Sequence, residues 1–593
     1  MAAVLFVVAS VLWMGLWIWT NPPGAAPDEP GHYAKAVAAG HGDLRGEPVP
    51  ERALASSKAF TPANLRQIVH AFRTFAVPAD VFVRTGPPCT AFRPARSYAC
   101  ARDTPAALPP GTTGSRAASS IVGAYPPWVY LPGGLLTRFA HSPTRAYHLA
   151  RAGSALVAAA LLAVAAALIA PGRGRPAVLA ALAVAVTPMA LFLSAEAGSN
   201  GPEVAGAVAV GAACARLSGP GEPDRRVWWL SGAGLAVAAA ARPFAPAWAA
   251  LGLVLALARL GPKAAWRRLR GGGAPAAAAA VLVTVGALAD LLWVRALGMS
   301  SPVLWGSLAG NARRALGYLP AVARQAVGVF GWQDTRAPSA LYLGWWALAA
   351  ALLAAALVLA TRRDRLVLLL GIVLTALLYE AVAAAVFVQN GFGMQGRYIL
   401  PACVIVLVFA GDALGAAAGR PAVGTASGPA SGPAVGRWLG PAAAAVLALA
   451  AVGQLVAWGA NAHRYAVGAY GPAWFFPAAG WAPARGWSWA VTVAVGATVI
   501  GLAAAVAAPA AGRPAPSGPA GPAGAPGAGS ALEPAPVAAG GVAPWRRYRQ
   551  RRLTQRHVHP EQGGRGAGRD VAPGQQGRRD HDQEGQGGGP AGG

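Results

Sequence analysis

The residues best suited to chemistry lie in Pro27-Asp28-Glu29-Pro30-Gly31-His32, directly after an apolar run from Ala2 to Trp19. If that run spans a membrane, two adjacent carboxylates and a histidine stand at its edge, where ionisable groups are costly and usually have a task. Asp28 and Glu29 together can hold a hard divalent cation such as Mg or Mn through oxygen ligands. One of them can instead act as general base on an acceptor hydroxyl, with His32 assisting. A structural reading competes with both. Asp28 or Glu29 followed by Pro30 can start a helix over 31–39, with proline at its first position.

Three further groups carry candidate side chains. Glu196-Ala197-Gly198-Ser199-Asn200-Gly201-Pro202-Glu203 is a short turn between two apolar runs, and Glu196, Asn200 and Glu203 make it either a polar cap or part of a site. In the stretch from Asn390 to Tyr398, glycines offer backbone amides near a helix start and Arg397 adds a charged fork. Phosphate binding suits both features, and an interfacial anchor of Arg397 and Tyr398 is the competing reading. Arg242, in a turn between two short apolar segments, can serve the same anion. Asp290 and Glu380 fall within apolar runs and can be proton-relay groups or paired acids inside a bundle. Tyr125, Trp128 and Trp332 offer aromatic stacking faces, and Asp334 stands two residues after the last of these. The chain holds no phosphate-binding loop ending in Lys-Ser/Thr, no Gly-x-Ser-x-Gly elbow and no His-Glu-x-x-His. His557 and His559 read as solvated rather than metal-binding.

These groups need elements to hold them. Only 12% of the 593 residues are charged, 55% are hydrophobic and the mean hydropathy is +0.43. Soluble chains carry roughly a quarter charged residues, so the composition points to an all-α polytopic membrane protein. The net charge of +27 is no nucleic-acid signature, because much of it lies in short loops and in the C-terminal tail. Arginine in place of lysine, with abundant Ala, Gly and Pro, reflects a GC-rich coding bias. A span needs about 20 apolar residues, and about twelve candidates follow. They are 2–20, 146–170, 176–194, 202–217, 227–241, 244–260, 275–297, 339–360, 366–388, 397–417, 439–459 and 487–509.

Loop charge orients them. Arg173 and Arg175, Arg225 and Arg226, Lys263 to Arg270, Arg362 to Arg365, and Arg420 with Arg437 mark alternate connections, all cytoplasmic by the positive-inside rule. The loops 195–201 and 389–396 carry no Lys or Arg. The large loop 21–145 is then extracytoplasmic. Its Cys89 and Cys100 suit a disulfide in that compartment, whereas Cys214 and Cys403 fall in apolar runs as core thiols. The 125–132 segment, aromatic and proline-rich, suits a stretch lying in the membrane interface. Residues 1–20 read as a retained helix rather than a cleaved signal peptide. They have no basic leader, and Trp13, Trp17 and Trp19 gather as an interfacial belt would. Residues 1–510 thus form a transmembrane domain, and 511–593 a disordered basic cytoplasmic tail, whose Trp545-Arg546-Arg547 stretch suits anionic headgroups.

Several motifs together resemble a bacterial family of multi-spanning membrane proteins known as domain of unknown function 2142. They are Pro27 to His32, Tyr125-Pro126-Pro127, Ser199 to Glu203, Ala241-Arg242-Pro243, Phe330 to Thr335, Gln395 to Tyr398 and Arg464 to Gly468, in the family's order. The layout, with an acidic pair in a large first external loop, is also similar to the C-type glycosyltransferases. That resemblance implies a polyprenyl-phosphate-linked sugar as donor and an envelope acceptor. Asp28 would be the base with Glu29 assisting or holding a divalent ion, and Arg242 and Arg397 would hold the donor phosphate. The large C-terminal domain of many such enzymes is missing here. A transporter or lipid-linked-glycan flippase, or a non-catalytic envelope assembly protein, remains as an alternative.

Overall fold

The computed structural model describes residues 1–55, 69–102, 107–109, 111–169, 175–298, 307–384, 393–418 and 432–510. Arg173, Arg420, Asn390 to Phe392 and everything from 511 on, His557 and His559 included, lie outside the described residues. The described part belongs to one compact unit, Met1–Pro516.

Helices stand at all twelve predicted stretches. The first half runs α1 (Ala2–Thr20), α2 (Glu29–Gly40), α3 (Leu131–Thr137), α4 (Pro143–Ile169), α5 (Arg175–Ala185), α6 (Pro188–Ser194), α7 (Asn200–Ser218) and α8 (Arg225–Ala239). The second half runs α9 (Ala245–Leu260), α10 (Pro262–Gly271), α11 (Gly273–Ala296), α12 (Leu308–Gly328), α13 (Ser339–Leu359), α14 (Arg362–Val382), α15 (Gly396–Ala418), α16 (Gly432–Val467) and α17 (Gly486–Ala510). Eight helices are long and apolar enough to cross a membrane, or up to ten spans if the pairs α5–α6, bent by 66°, and α9–α10, bent by 103°, each count as one. The expected spans at 202–217 and 227–241 fall outside that set. α8 is only 15 residues long, and α7 starts with Asn200 and Glu203 and is buried along nearly its whole length. Helix α12 falls where the sequence reads as loop, because Arg313, Arg314, Arg324 and Pro320 interrupt its apolar pattern.

α15 is the central helix, with 83% of its apolar window buried. Small residues bring its neighbours close, as in membrane helix packing generally. A side chain on Gly211 of α7 would come within 3.0 Å of Val408, and one on Gly411 within 2.3 Å of Ala181 of α5.

The loop after α1 is a folded layer. Strands β1 (Glu47–Pro48), β2 (Arg73–Pro78) and β3 (Ser115–Ser120) form an antiparallel sheet in that order, with Phe75 opposite Ala118. Alternate residues face inward as strand geometry requires, and Phe75, Val77 and Ala118 pack under Tyr33, Ala34 and Val37 of α2. α2 also touches α3 backbone to backbone, since a side chain on Gly134 would meet the Ala36 carbonyl at 2.0 Å. Within the 125–132 segment Val129 and Tyr130 are buried against the protein, while Tyr125, Trp128 and Leu131 are half-buried. Of the three tryptophans on α1, Trp13 and Trp17 are buried in the protein and Trp19 is half-buried. Trp17 is fully buried against Phe192 and Phe330, with ring centroids 5.4 and 5.1 Å away.

Helix direction alternates, so the loops sort to two ends. At one end Arg259 bridges Asp364 and Asp412, and Arg268 donates to the Leu217 and Gly219 carbonyls. Arg363 and Arg365 bond the Ala258, Val358 and Ala360 carbonyls. These cations satisfy carbonyls that helix C-termini leave open. The 21–32 turn, the 195–203 turn, Arg242 and Arg397 gather at the other end.

Candidate functional site

The turn between α1 and α2 is held by almost every element around it. Trp458 and Asn461 of α16 donate to Thr20 and Asn21, Trp332 donates to the Gly24 carbonyl, and Tyr465 to that of Ala25. Arg397 reaches the Pro27 carbonyl at 3.3 Å, and Ser120 that of Gly31 at 2.9 Å. Two further strands, β4 (Val329–Phe330) and β5 (Thr335–Arg336), form the hairpin that presents Trp332.

The two acids of the turn part company. Glu29, fully buried, receives Arg151 of α4 through Nε at 2.7 Å and Nη2 at 2.8 Å. The Ala197 amide at 3.1 Å and the Ala26 amide at 3.5 Å take the remaining acceptor positions. Arg151 spends its other donors on the carbonyls of Ile18, Asn21 and Pro22. A carboxylate has about four acceptor sites, so Glu29 has none left for a cation or a substrate proton.

Asp28 faces the other way. Its backbone sits in the left-handed region at φ 64°, and its side chain makes no capping bond although α2 begins one residue later. Non-glycine residues held there cost of order 1–3 kcal/mol and cluster at functional sites. The carboxylate is 31% exposed and accepts from Arg397 Nη2 at 2.8 Å through Oδ2. Because Asp28 and Glu29 pair with different guanidinium groups, the expected shared divalent cation has no ligand pair. Among the described residues, no three His, Cys, Asp or Glu groups gather around a metal-sized position.

Around Asp28 the structure assembles residues far apart in sequence. Arg397 and Arg242 lie on the Tyr398 ring at 5.0 and 5.2 Å, and Arg242 also on Tyr125 at 5.4 Å. Arg242 donates to Asn200 at 2.7 Å and Glu203 at 2.8 Å, and Trp248 holds the second Glu203 oxygen. His32 shares a 2.7 Å hydrogen bond with the Tyr130 hydroxyl, which donates in turn to Ser199. Asn200 donates to Glu196 Oε1, while Glu196 Oε2 is buried without a partner. Both Arg242 Nε and Arg397 Nε are likewise buried and unpartnered. Behind Arg397 the space is only about 20 Å³, shared with Pro27, Gln325 and Gln395. Asp28, Tyr125 and Tyr398 are half-buried and give the cluster its accessible side.

Burial sets the charge states. It lowers His32 to about 3, against the pull of the Asp28 carboxylate and with help from Arg242 and Arg397, so the ring is neutral. Burial, reinforced by the Glu29 charge, pushes Glu196 up to about 8. With a neutral Glu196 and His32, the site holds two guanidinium groups against Asp28 and Glu203.

Asp28, His32, Tyr125, Glu196, Asn200, Glu203, Arg242, Arg397 and Tyr398 thus converge as the sequence suggests, and Arg397 is buried rather than an interfacial anchor. The Gly396 amide, expected to be free, donates to Gln325 instead. Trp332 and Asp334 support the turn and the disulfide loop, since Asp334 pairs with Arg464. Trp128 packs edge-on against Trp293 of α11 at 5.7 Å. The Cys89–Cys100 disulfide is formed, and Cys214 and Cys403 are free. Sequence reasoning missed Tyr130 and Arg151. An arginine inside an apolar run was the available signal for the latter. It also kept Asp290 apart. This residue is fully buried on α11, one turn before Trp293, with both oxygens unpartnered, and it lies within electrostatic reach of Glu203.

Fold and site together define a multi-spanning membrane protein with a charged, partly open recess at one end of its helix bundle. The chain belongs to the family described as predicted membrane protein (DUF2142), whose model matches residues 11–406. That match contains every residue of the recess and stops short of Arg464. No curated protein and no solved structure matches the chain.

Proposed function

We propose that the chain is a polyprenyl-phosphate-dependent glycosyltransferase of the extracytoplasmic membrane face, serving cell-envelope glycan assembly. One observation carries this reading: Arg242 and Arg397 flank a single tyrosine ring, each with an open Nε, beside a strained and half-exposed Asp28. Paired guanidinium groups suit a phosphate, and preorganised donors aimed at a leaving group are worth most where water is excluded. The placement of basic loops at the far end of the bundle favours an external recess.

In this mechanism the acceptor hydroxyl oxygen attacks the anomeric carbon of the donor. The bond from that carbon to the phosphate oxygen breaks, and the polyprenyl phosphate leaves with the electron pair. Asp28 takes the hydroxyl proton, while Arg242 and Arg397 hold the charge on the leaving phosphate. Neutral His32 orients the recess through Tyr130. Arg397 already neutralises Asp28 through Oδ2, so the guanidinium groups are assigned the charge-holding role that a Mg or Mn ion would otherwise take.

The test is Asp28→Asn in a deletion background with analysis of envelope glycans. Loss of a glycan supports the base assignment, and full complementation sinks it. Glu380 and Asp290 give the flippase or transporter reading its observation, each a carboxylate within a candidate span with both oxygens buried and without a hydrogen-bond partner among the described residues. No hydrogen bond or ion pair among the described residues joins Glu380 to the recess. A fully active Asp28→Asn alongside an inactive Glu380→Gln would favour that reading.

A further inference from the structure

The turn that carries Asp28 has a second face. Pro23, Gly24 and Pro30 form one wall of a separate cavity of about 320 Å³. Tyr98, Tyr147 and Arg84 form much of the rest, under the Cys89 end of the disulfide. The volume falls at the lower end of the roughly 300–1,000 Å³ typical of small-molecule sites.

The cavity is built rather than incidental. Its disulfide loop is pinned from below by Arg464, which donates to the Thr90, Arg93 and Arg96 carbonyls. Tyr98 is braced edge-on by Trp481 at 5.5 Å. Tyr147 stacks on Tyr33 at 4.2 Å, is 1% exposed, and keeps a buried hydroxyl with no hydrogen-bond partner. Burying such a hydroxyl unpaired costs free energy.

The lining chemistry narrows the ligand class. Among the described residues no carboxylate lines the space. Among the described residues Val83 and Ala101 are its aliphatic side chains besides the prolines, too few for an acyl chain. The half-buried Tyr98 with its phenolic hydroxyl, the proline faces and the Arg84 guanidinium suit a ring that is apolar on its faces and hydroxylated at its edges.

We infer that this cavity binds a saccharide, at a subsite on the opposite face of the Pro23–Pro30 turn from the Arg397 recess. Its assignment as the acceptor side rests on the transferase reading, but saccharide binding itself does not. Full-length protein in nanodiscs can be tested by saturation-transfer NMR against linear trisaccharides of mannose, galactose, arabinofuranose and N-acetylglucosamine, with 1,6-hexanediol as control. At least one trisaccharide, and not the diol, should bind. Gly86→Trp should weaken that binding at least tenfold, because Gly86 lines the cavity and a Cβ there meets nothing within 4 Å. Tyr98→Phe should weaken it less than Gly86→Trp, and Arg397→Gln should leave it unchanged. No binding by any of the four, or equal binding by the Gly86→Trp protein, overturns the inference. Saccharide binding that survives while polyprenyl phosphate binding fails would instead contradict the transferase reading alone.

Discussion

Arg151 and Arg397 meet neighbouring acids of the same turn, yet they do opposite things. Arg151 makes five hydrogen bonds, two to Glu29 and three to carbonyls of the chain leaving α1, and is 1% exposed. Arg397 makes three, leaves Nε open, and pairs with a carboxylate that is 31% exposed. The first is a saturated clamp that fixes where the turn lies. The second is an incomplete pair with capacity for a further anion. An open Nε is not enough by itself, because Arg464 has one too. Arg464 is sealed under the disulfide loop, whereas Arg397 borders the half-exposed Asp28 and Tyr398. The difference teaches that adjacency in sequence assigns no shared role, and that saturation separates scaffold from site.

The largest effect should come from the clamp. Arg151→Met strands the Glu29 carboxylate in a buried position and frees three carbonyls, a loss of about 3–5 kcal/mol. The expected result is little folded protein in the membrane by fluorescence size-exclusion chromatography. Normal yield and melting temperature would erase the comparison. Removing the disulfide with Cys89→Ser should cost about 2–3 kcal/mol through the loop it closes, read as a lower melting temperature that reductant reproduces in the parent protein.

Glu196 should act in the opposite direction. Its carboxyl is held protonated in the fold, whereas the unfolded chain ionises near 4.5. Wild-type stability therefore falls as pH rises from about 4.5 toward 8, and Glu196→Gln removes that penalty. The variant should be more stable by about 1–2 kcal/mol at pH 7, with the gain gone below pH 4. A pH-independent difference would mean that Glu196 is ionised in the fold. Arg397→Gln should have the smallest effect on stability, under about 1 kcal/mol, since the Asp28 it leaves is partly solvated. A loss as large as that of Arg151→Met would make Arg397 a second clamp.

The helices were legible because apolar runs of the right length report on themselves, although ten of the twelve expected spans at most, the bent pairs included, are long and apolar enough to cross a membrane. The sheet was not legible, because Arg73–Pro78 and Ser115–Ser120 are too polar and small to read as strands without each other. Within the site, the individual motifs were legible but not their partition. Nothing local distinguishes Asp28 from Glu29, since the choice is made by Arg151 in a span more than a hundred residues on. Asp290 was readable as an acid in an apolar run, but only the close packing of α11 on α8, where Gly286 meets the Ala236 backbone, brings it toward Glu203.

The most direct test of the central claim is the preference of the full-length protein in nanodiscs for a short-chain polyprenyl phosphate over the matching polyprenol. The wild-type protein should favour the phosphate at least tenfold. Arg397→Gln should abolish that preference, and Asp28→Asn should keep or increase it while transfer is lost. Equal affinity for phosphate and alcohol, or a preference that Arg397→Gln leaves intact, would contradict the assignment of this recess as a phosphate site.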